Sequence, residues 1–158
     1  MISAVPDQTF KFKCYGGNGL RGFVKEKSHT GEFPIIGRQG ALCGNVNYAV
    51  DDFYATEHAV VVKSKGKLTQ RFLYYLLVSM NLNQYKSQGA QPGLAVGNIE
   101  KLTIPVPPIE EQERIVSILD RFDKLCNDIS EGLPAEIEAR RKQYEYYRDK
   151  LLSFEEVK

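Results

Sequence analysis

At Pro107-Pro108 the hydrophobic period of this chain changes, and that change limits what it can fold into. Ahead of the prolines, short runs of alternating or clustered apolar residues stand between Gly, Asn and Asp turn signals, the pattern of strands. Behind them, apolar residues recur every three to four positions, the pattern of helices. A strand-rich front joined to a helical back predicts an α+β chain: a mixed, mostly-β domain over 1–108 and a long helical, coiled-coil-like spacer over 109–158.

In the front part, KFKCY and GFVKEK alternate polar and apolar residues around the turn GGNGLRG. FPIIG, NVNYAV and HAVVVKS read as further strands, with His58 to Val62 buried on both faces. LTQRFLYYLLVSMNL then switches period: Leu68, Phe72, Leu73, Leu76, Leu77 and Met80 share a helical face, with Thr69 as N-cap. SQGAQPGLAVGN is a glycine-rich loop, and KLTIPVPP reads as a short strand that its prolines confine to an edge.

In the back part, IEEQERIVSILDRFDKLCNDI opens with acids that suit the positive end of a helix dipole. Ile115, Phe122 and Ile129 fall seven apart, with Ile118 and Leu125 between them. A break at 132–134 follows, where Gly132 suits a helix end and Pro134 the first turn of the next helix. The second helix sets Ile137, Tyr144 and Leu151 seven apart with Tyr147 between, a seam expected to serve as a helix interface. Two readings of this helix stand side by side. EIEARRKQYEYYRDK can be a charged, solvated helix or one packed on its own domain, but tyrosines at 144, 146 and 147 fit a protein interface better.

Charge divides at the same place. Residues 1–108 hold 12 Lys and Arg against 7 Asp and Glu, a net of +5; residues 109–158 hold 9 against 13, a net of −4. The front suits a polyanion, and the back would repel one and look for protein. No apolar run is long enough to span a bilayer, and the first residues lack a signal-peptide pattern, so no membrane partner is expected. Three separated cysteines, Cys14, Cys43 and Cys126, fit neither a disulfide framework nor a zinc site, and a cytoplasmic setting is expected.

The segments YGGNGLRGF, IIGRQGALCGNV, ATEHAVVV, FLYYLL, QPGLAVGNIEKL, KLTIPVPPIEEQERIVSILDRFDKL and GLPAEIEARRKQYEYYRDKLLSF occur in this order across residues 14–154. As an ordered set they resemble one target-recognition domain and spacer of the type I restriction–modification specificity subunits. The resemblance implies a non-catalytic module that binds double-stranded DNA and directs methyltransferase and restriction subunits to a target. The first of these uses S-adenosylmethionine and the second ATP; the specificity chain itself is expected to hold no cofactor and no metal. In that family two recognition domains read the halves of a split target, and paired spacer helices set the gap. One recognition domain here, with few residues before the GGNG turn, implies a domain truncated at its N-terminus. It also implies a homodimer, or pairing with another specificity chain, through the C-terminal helices. The alternative is an interaction-only fragment that assembles through those helices without reading DNA.

A DNA reader needs cations for phosphates and polar side chains for base edges. Phosphate candidates are Lys11, Lys13, Lys25 and Lys27 around the first hairpin, and Lys63, Lys65 and Lys67 in KSKGK. Base-reading candidates are Asn18 and Arg21 on the glycine-rich turn, Arg38 and Gln39 in GRQG, and Gln88 and Gln91 in SQGAQPG. Each has a plainer reading, as a solvated surface lysine or as turn chemistry. Glu57 and His58 are expected on opposite faces of a strand, where they cannot act as a dyad. GGNG and GRQG lack the strand–helix context of nucleotide loops, and no catalytic site is expected.

Overall fold

The computed structural model describes residues 1–88, 92–128 and 134–153. Seven strands precede the helices: β1 (Phe12–Gly16), β2 (Gly19–Val24), β3 (His29–Thr30), β4 (Phe33–Gly37), β5 (Val46–Ala49), β6 (Asp52–Ala55) and β7 (Ala59–Val61). Then come α1 (Gln70–Ser79), a 3-10 turn (Leu82–Tyr85), the single turn α2 (Val96–Ile99), α3 (Ile109–Asp128) and α4 (Pro134–Leu152). The α+β organisation expected from the change of period is present.

The strands form two small sheets. One has the order β2-β1-β6-β3, with β1 and β6 parallel, and the other has the order β5-β4-β7, antiparallel throughout. Both faces of β4 are covered, because successive side chains of a strand point to opposite sides. Ile35 joins Tyr15, Ala49 and Phe53 between the two sheets. Ile36 joins Cys43, Leu73, Leu77, Leu82 and Leu94 on the other side.

The same division runs through α1. Leu73 and Leu77 face the β4 sheet, while Phe72, Tyr75 and Leu76 face away and meet Ile115, Leu119 and Leu152 from α3 and α4. Two sheets, α1, and the α3–α4 pair therefore stack as layers, with α1 sandwiched. Thr69 caps α1, its hydroxyl accepting from the Phe72 N–H at 3.3 Å.

Three expectations need correction. Residues 101–108 form no ladder; Leu102 and Ile104 still pack on the core, but prolines at 105, 107 and 108 lack the N–H that pairing needs. β7 is half-buried along its length rather than sealed on both faces. The seam of α4 left for a partner by its sequence is used in part within the chain, while Tyr146 and Tyr147 keep 61% and 39% of their surface exposed. Tyr144 and Leu151 pack on the α1–α3 cluster, and Tyr147 stacks on Phe122 with centroids 5.8 Å apart. A helix that returns over α1 has an apolar surface to cover before any partner arrives. Ile137 lies within α4, but its side chain is outside the described residues; Ile129, Gly132 and Leu133 also lie outside them.

Candidate nucleic-acid interface

Two loops meet at one end of the sheets. The β1–β2 turn, Gly17-Asn18, lies against the segment that leaves β4. A Cβ on Gly37 would strike the Gly17 carbonyl, and one on Gly17 would sit 2.6 Å from the Gln39 carbonyl. Only glycine permits this backbone-on-backbone approach.

A bulge in β1–β2 aims Arg21 at the same place. The register passes from Cys14↔Gly22 to Tyr15↔Leu20, leaving Arg21 unopposed, and its aliphatic stem crosses Gly16. Burial pushes the nearby Cys14 thiol up, and Arg21 is the main opposing charge.

The segment 38–45 forms a ridge fixed through main-chain bonds. The Arg38 N–H donates to the His58 carbonyl at 2.9 Å, and the Arg38 carbonyl accepts from the Leu94 N–H at 2.9 Å. The Gly40 N–H donates to the Pro92 carbonyl at 3.0 Å, and Gln39 bridges Gly93. Asn83 donates its amide to the carbonyls of Ala41 (3.2 Å) and Cys43 (2.6 Å). Gly44, at φ +90°, lies against the backbone of Leu82 and Asn83.

Concavities flank the ridge. One, of about 330 Å³, is lined by Gly17, Asn18, Arg21, Gln39, Gly40 and His58. The other, of about 320 Å³, is lined by Leu42, Gly44, Asn45, Val46, Val78, Asn81 and Asn83. Asn45 donates to the Asn18 side-chain oxygen at 3.5 Å and so links the two.

Of the base-reading candidates, Asn18, Arg21 and Gln39 thus come together around one concavity, and Arg38, exposed, precedes Gln39 in the same segment. Gln88 adjoins them at the neck of a loop that Ser87 closes, through two hydrogen bonds to Gly93. Gln91 lies outside the described residues. The lysines do not join the ridge. Lys11, Lys13 and Lys25 lie at the opposite end of the β1–β2 hairpin, where Lys11 and Lys13 share a concavity with Asp51 and Asp52. Lys27 is held by Asp52 at 2.9 Å, and the Thr30 hydroxyl, with Lys27 second, keeps the Asp52 carboxyl below its usual range. Lys63, Lys65 and Lys67 follow β7 at the end of its ladder remote from Gly37.

Sequence reasoning missed His58, Asn45 and Lys86. Glu57 and His58 are not on a strand; they lie in a turn, closed by the Ala59 N–H on the Thr56 carbonyl, which lets Glu57 reach His58 at 3.1 Å. That corrects the opposed-face expectation. Lys86 donates to the Asn83 side chain at 3.0 Å and adds a cation near the ridge. No local pattern marks these three residues; only the folding of separate loops onto one end reveals them.

The joint between the front part and the helices adds polar contacts to the apolar cluster that α1 shares with α3 and α4. Gln112, fully buried, accepts the Thr69 N–H at 2.9 Å and donates to the carbonyls of Lys67 (2.8 Å) and Pro107 (2.9 Å). Arg71 donates to Asp120, as does the Tyr75 hydroxyl, and its guanidinium lies over the rings of Tyr48, Tyr74 and Tyr75 at 4.7–5.2 Å. Burial pushes the Tyr75 hydroxyl far up, and its bond to Asp120 adds to the rise. Among the described residues no helix is long and apolar enough to cross a membrane.

Comparison with known proteins gives a consistent result. Residues 13–139 match the model of the type I restriction modification DNA specificity domain. The chain is 54% identical over 125 residues to the type I restriction enzyme EcoprrI specificity subunit of Escherichia coli, covering 79% of this chain and 31% of that protein. It is 35% identical over 138 residues to the type I restriction enzyme MpnII specificity subunit of Mycoplasma pneumoniae, covering 87% of this chain and 42% of that protein. The crystal structure of the type I restriction–modification S subunit from M. genitalium superposes with a TM-score of 0.67 at 18% identity, over 82% of this chain and 35% of that one; it shows the shared fold. The chain therefore spans less than half the length of these relatives.

Proposed function

Because the chain belongs to the type I restriction–modification DNA specificity domain family, we propose that it is a non-catalytic module that binds double-stranded DNA in a sequence-dependent way through the ridge 38–45 and its flanks. The observation that carries this reading is the convergence of Asn18, Arg21 and Gln39 from two loops onto one concavity, with exposed Arg38 next to Gln39 in the chain. Arg and Asn or Gln are the side chains whose donors and acceptors match guanine and adenine edges. Their loops are held through main-chain bonds, so the side chains are presented rather than used for folding.

In this reading residues 1–108 read DNA and 109–158 act as spacer. The methyltransferase and restriction subunits of the same system, in the cytoplasm, are the protein partners. Pairing with a second specificity chain, or with another copy, uses the outer side of α3–α4, where Leu125 and Tyr146 remain exposed. The same exposed side supports a second reading, assembly through these helices without autonomous DNA binding.

Fluorescence anisotropy with a random-sequence duplex library, measured over a salt series, separates the two. The DNA reading requires affinity that falls with salt and drops further in Arg21→Ala and Arg38→Ala, while Lys27→Ala, already paired to Asp52, changes little. Absence of salt-dependent binding leaves the assembly reading.

A further inference from the structure

Leu42 lies in the ridge segment, 56% exposed at the edge of a concavity, and it belongs to none of the three core clusters. An exposed leucine alone means little, since much of any protein surface is apolar. What sets Leu42 apart is how firmly its backbone is held. The carbonyls on either side of it, those of Ala41 and Cys43, accept from the same Asn83 amide. Cys43 is fully buried, and Gly44 presses on the next segment so closely that no side chain fits. The turn is therefore fixed on the far side of Leu42, while among the described residues the leucine side chain borders an open concavity and joins no core cluster.

Its neighbours define the chemistry of what it would meet. Asn45 lines the same concavity and reaches Asn18 on the other flank, where Arg21 and Gln39 also lie. All are polar groups suited to base edges. Among the base edges of the major groove, the feature an aliphatic side chain can recognise is the C5-methyl of thymine.

Resting on the DNA-binding reading above, we propose that Leu42 is a specificity-determining residue that packs on a thymine C5-methyl group while the flanking polar side chains hydrogen-bond to neighbouring bases. Leu42 has no place in the core, so its removal leaves the fold intact, and circular dichroism of the variant checks this. Uracil is the matched probe: it keeps the pairing and the O4 acceptor of thymine and lacks the methyl.

The experiment selects a duplex from a random library with the full 158-residue chain, then replaces its thymines by uracil one position at a time. Binding is compared for wild type, Leu42→Ala and Leu42→Gln. Burial of one methyl-sized group corresponds to a change of about 3- to 5-fold in affinity. The expected result is one thymine at which uracil weakens wild type by that factor, with both variants losing a similar amount on thymine and nothing further on uracil. Salt-dependent, selective binding in which the two losses multiply, or in which Leu42 is silent, overturns the role of Leu42 and leaves the DNA reading standing. A chain that binds no duplex overturns the DNA reading itself, and this inference with it.

Discussion

Arg71 and Asp120 meet at 2.7 Å across the contact between α1 and α3, and three tyrosine rings surround the guanidinium. Tyr48 comes from β5, Tyr74 and Tyr75 from α1 and Asp120 from α3, so one cation ties three layers together. Burial opposes the charge on Arg71 and is the largest single influence, but the bond to Asp120, the charge of Asp120 and the neighbouring Tyr75 and Tyr74 together outweigh it and hold the guanidinium above its ordinary range. The consequence is directional: hydrophobic packing lets helices slide, whereas a guanidinium bonded through two nitrogens fixes one angle.

Removing the carboxylate should therefore cost more than a surface ion pair. Asp120→Ala leaves Arg71 partly buried without its partner, and the expected loss is about 1–2 kcal/mol, kept modest because the Asp120 side chain is 43% exposed. Arg71→Lys, which lacks the planar fork, should lose a similar amount. Urea denaturation of the two single variants and the double variant checks this through their coupling.

Gln112 offers a sharper test, because all of its polar atoms are committed in a dry site. Gln112→Ala strands two carbonyls and one N–H, an expected loss of about 2–4 kcal/mol. Gln112→Glu should be worse at neutral pH, since a carboxylate then faces the Lys67 and Pro107 carbonyls, and should recover part of the loss at low pH as the acid regains a donor. Chemical denaturation at both pH values reads the difference.

The ridge depends on glycine at one position by sterics and at another by conformation. Gly37→Ala drives a methyl into the Gly17 carbonyl, and the expected cost is on the order of 3 kcal/mol together with loss of DNA affinity. Gly40→Ala meets nothing within 4 Å, but φ is +93°, and a cost of about 1 kcal/mol is expected. Thermal unfolding of both variants should reproduce this order.

Buried phenols give an alkaline limit. Burial pushes Tyr48 up to about 12, with its bond to Glu32 adding to the shift, and burial pushes Tyr144 up to about 12, with Asp123 adding to it. In the unfolded chain these groups ionise near the ordinary value of about 10. The unfolded state therefore releases protons first, and stability should fall as pH rises from about 10 toward about 12. Ultraviolet titration should show a late group of tyrosines among the nine in the chain, and Tyr48→Phe should remove part of both effects.

Much of the architecture is legible in the amino-acid sequence. α1 and its Thr69 cap follow from apolar spacing and a side-chain oxygen in the right place, both local signals. The GGNG and GRQG loops announce turns through glycine. What is not legible depends on contacts between distant segments. Nothing in SKGK or PPIEEQ says that Gln112 will bridge them, and the spacing that sets Tyr144 on a seam and Tyr146 off it does not say that Tyr144 will pack on α1 and α3 of its own chain. The lysines around the first hairpin show the same limit: Lys11, Lys13 and Lys25 are close to Asn18 in sequence, but a hairpin separates its turn from its open end.

The ridge between Arg38 and Asn45 is positioned by its own peptide groups and by Asn83, while the side chains at 38, 39, 41 and 42 are exposed and support nothing beneath them. Its outline and its contents are thus specified by different residues. Such a segment behaves like a type case: the frame stays locked, and the characters set in it can be exchanged one at a time without loosening the block.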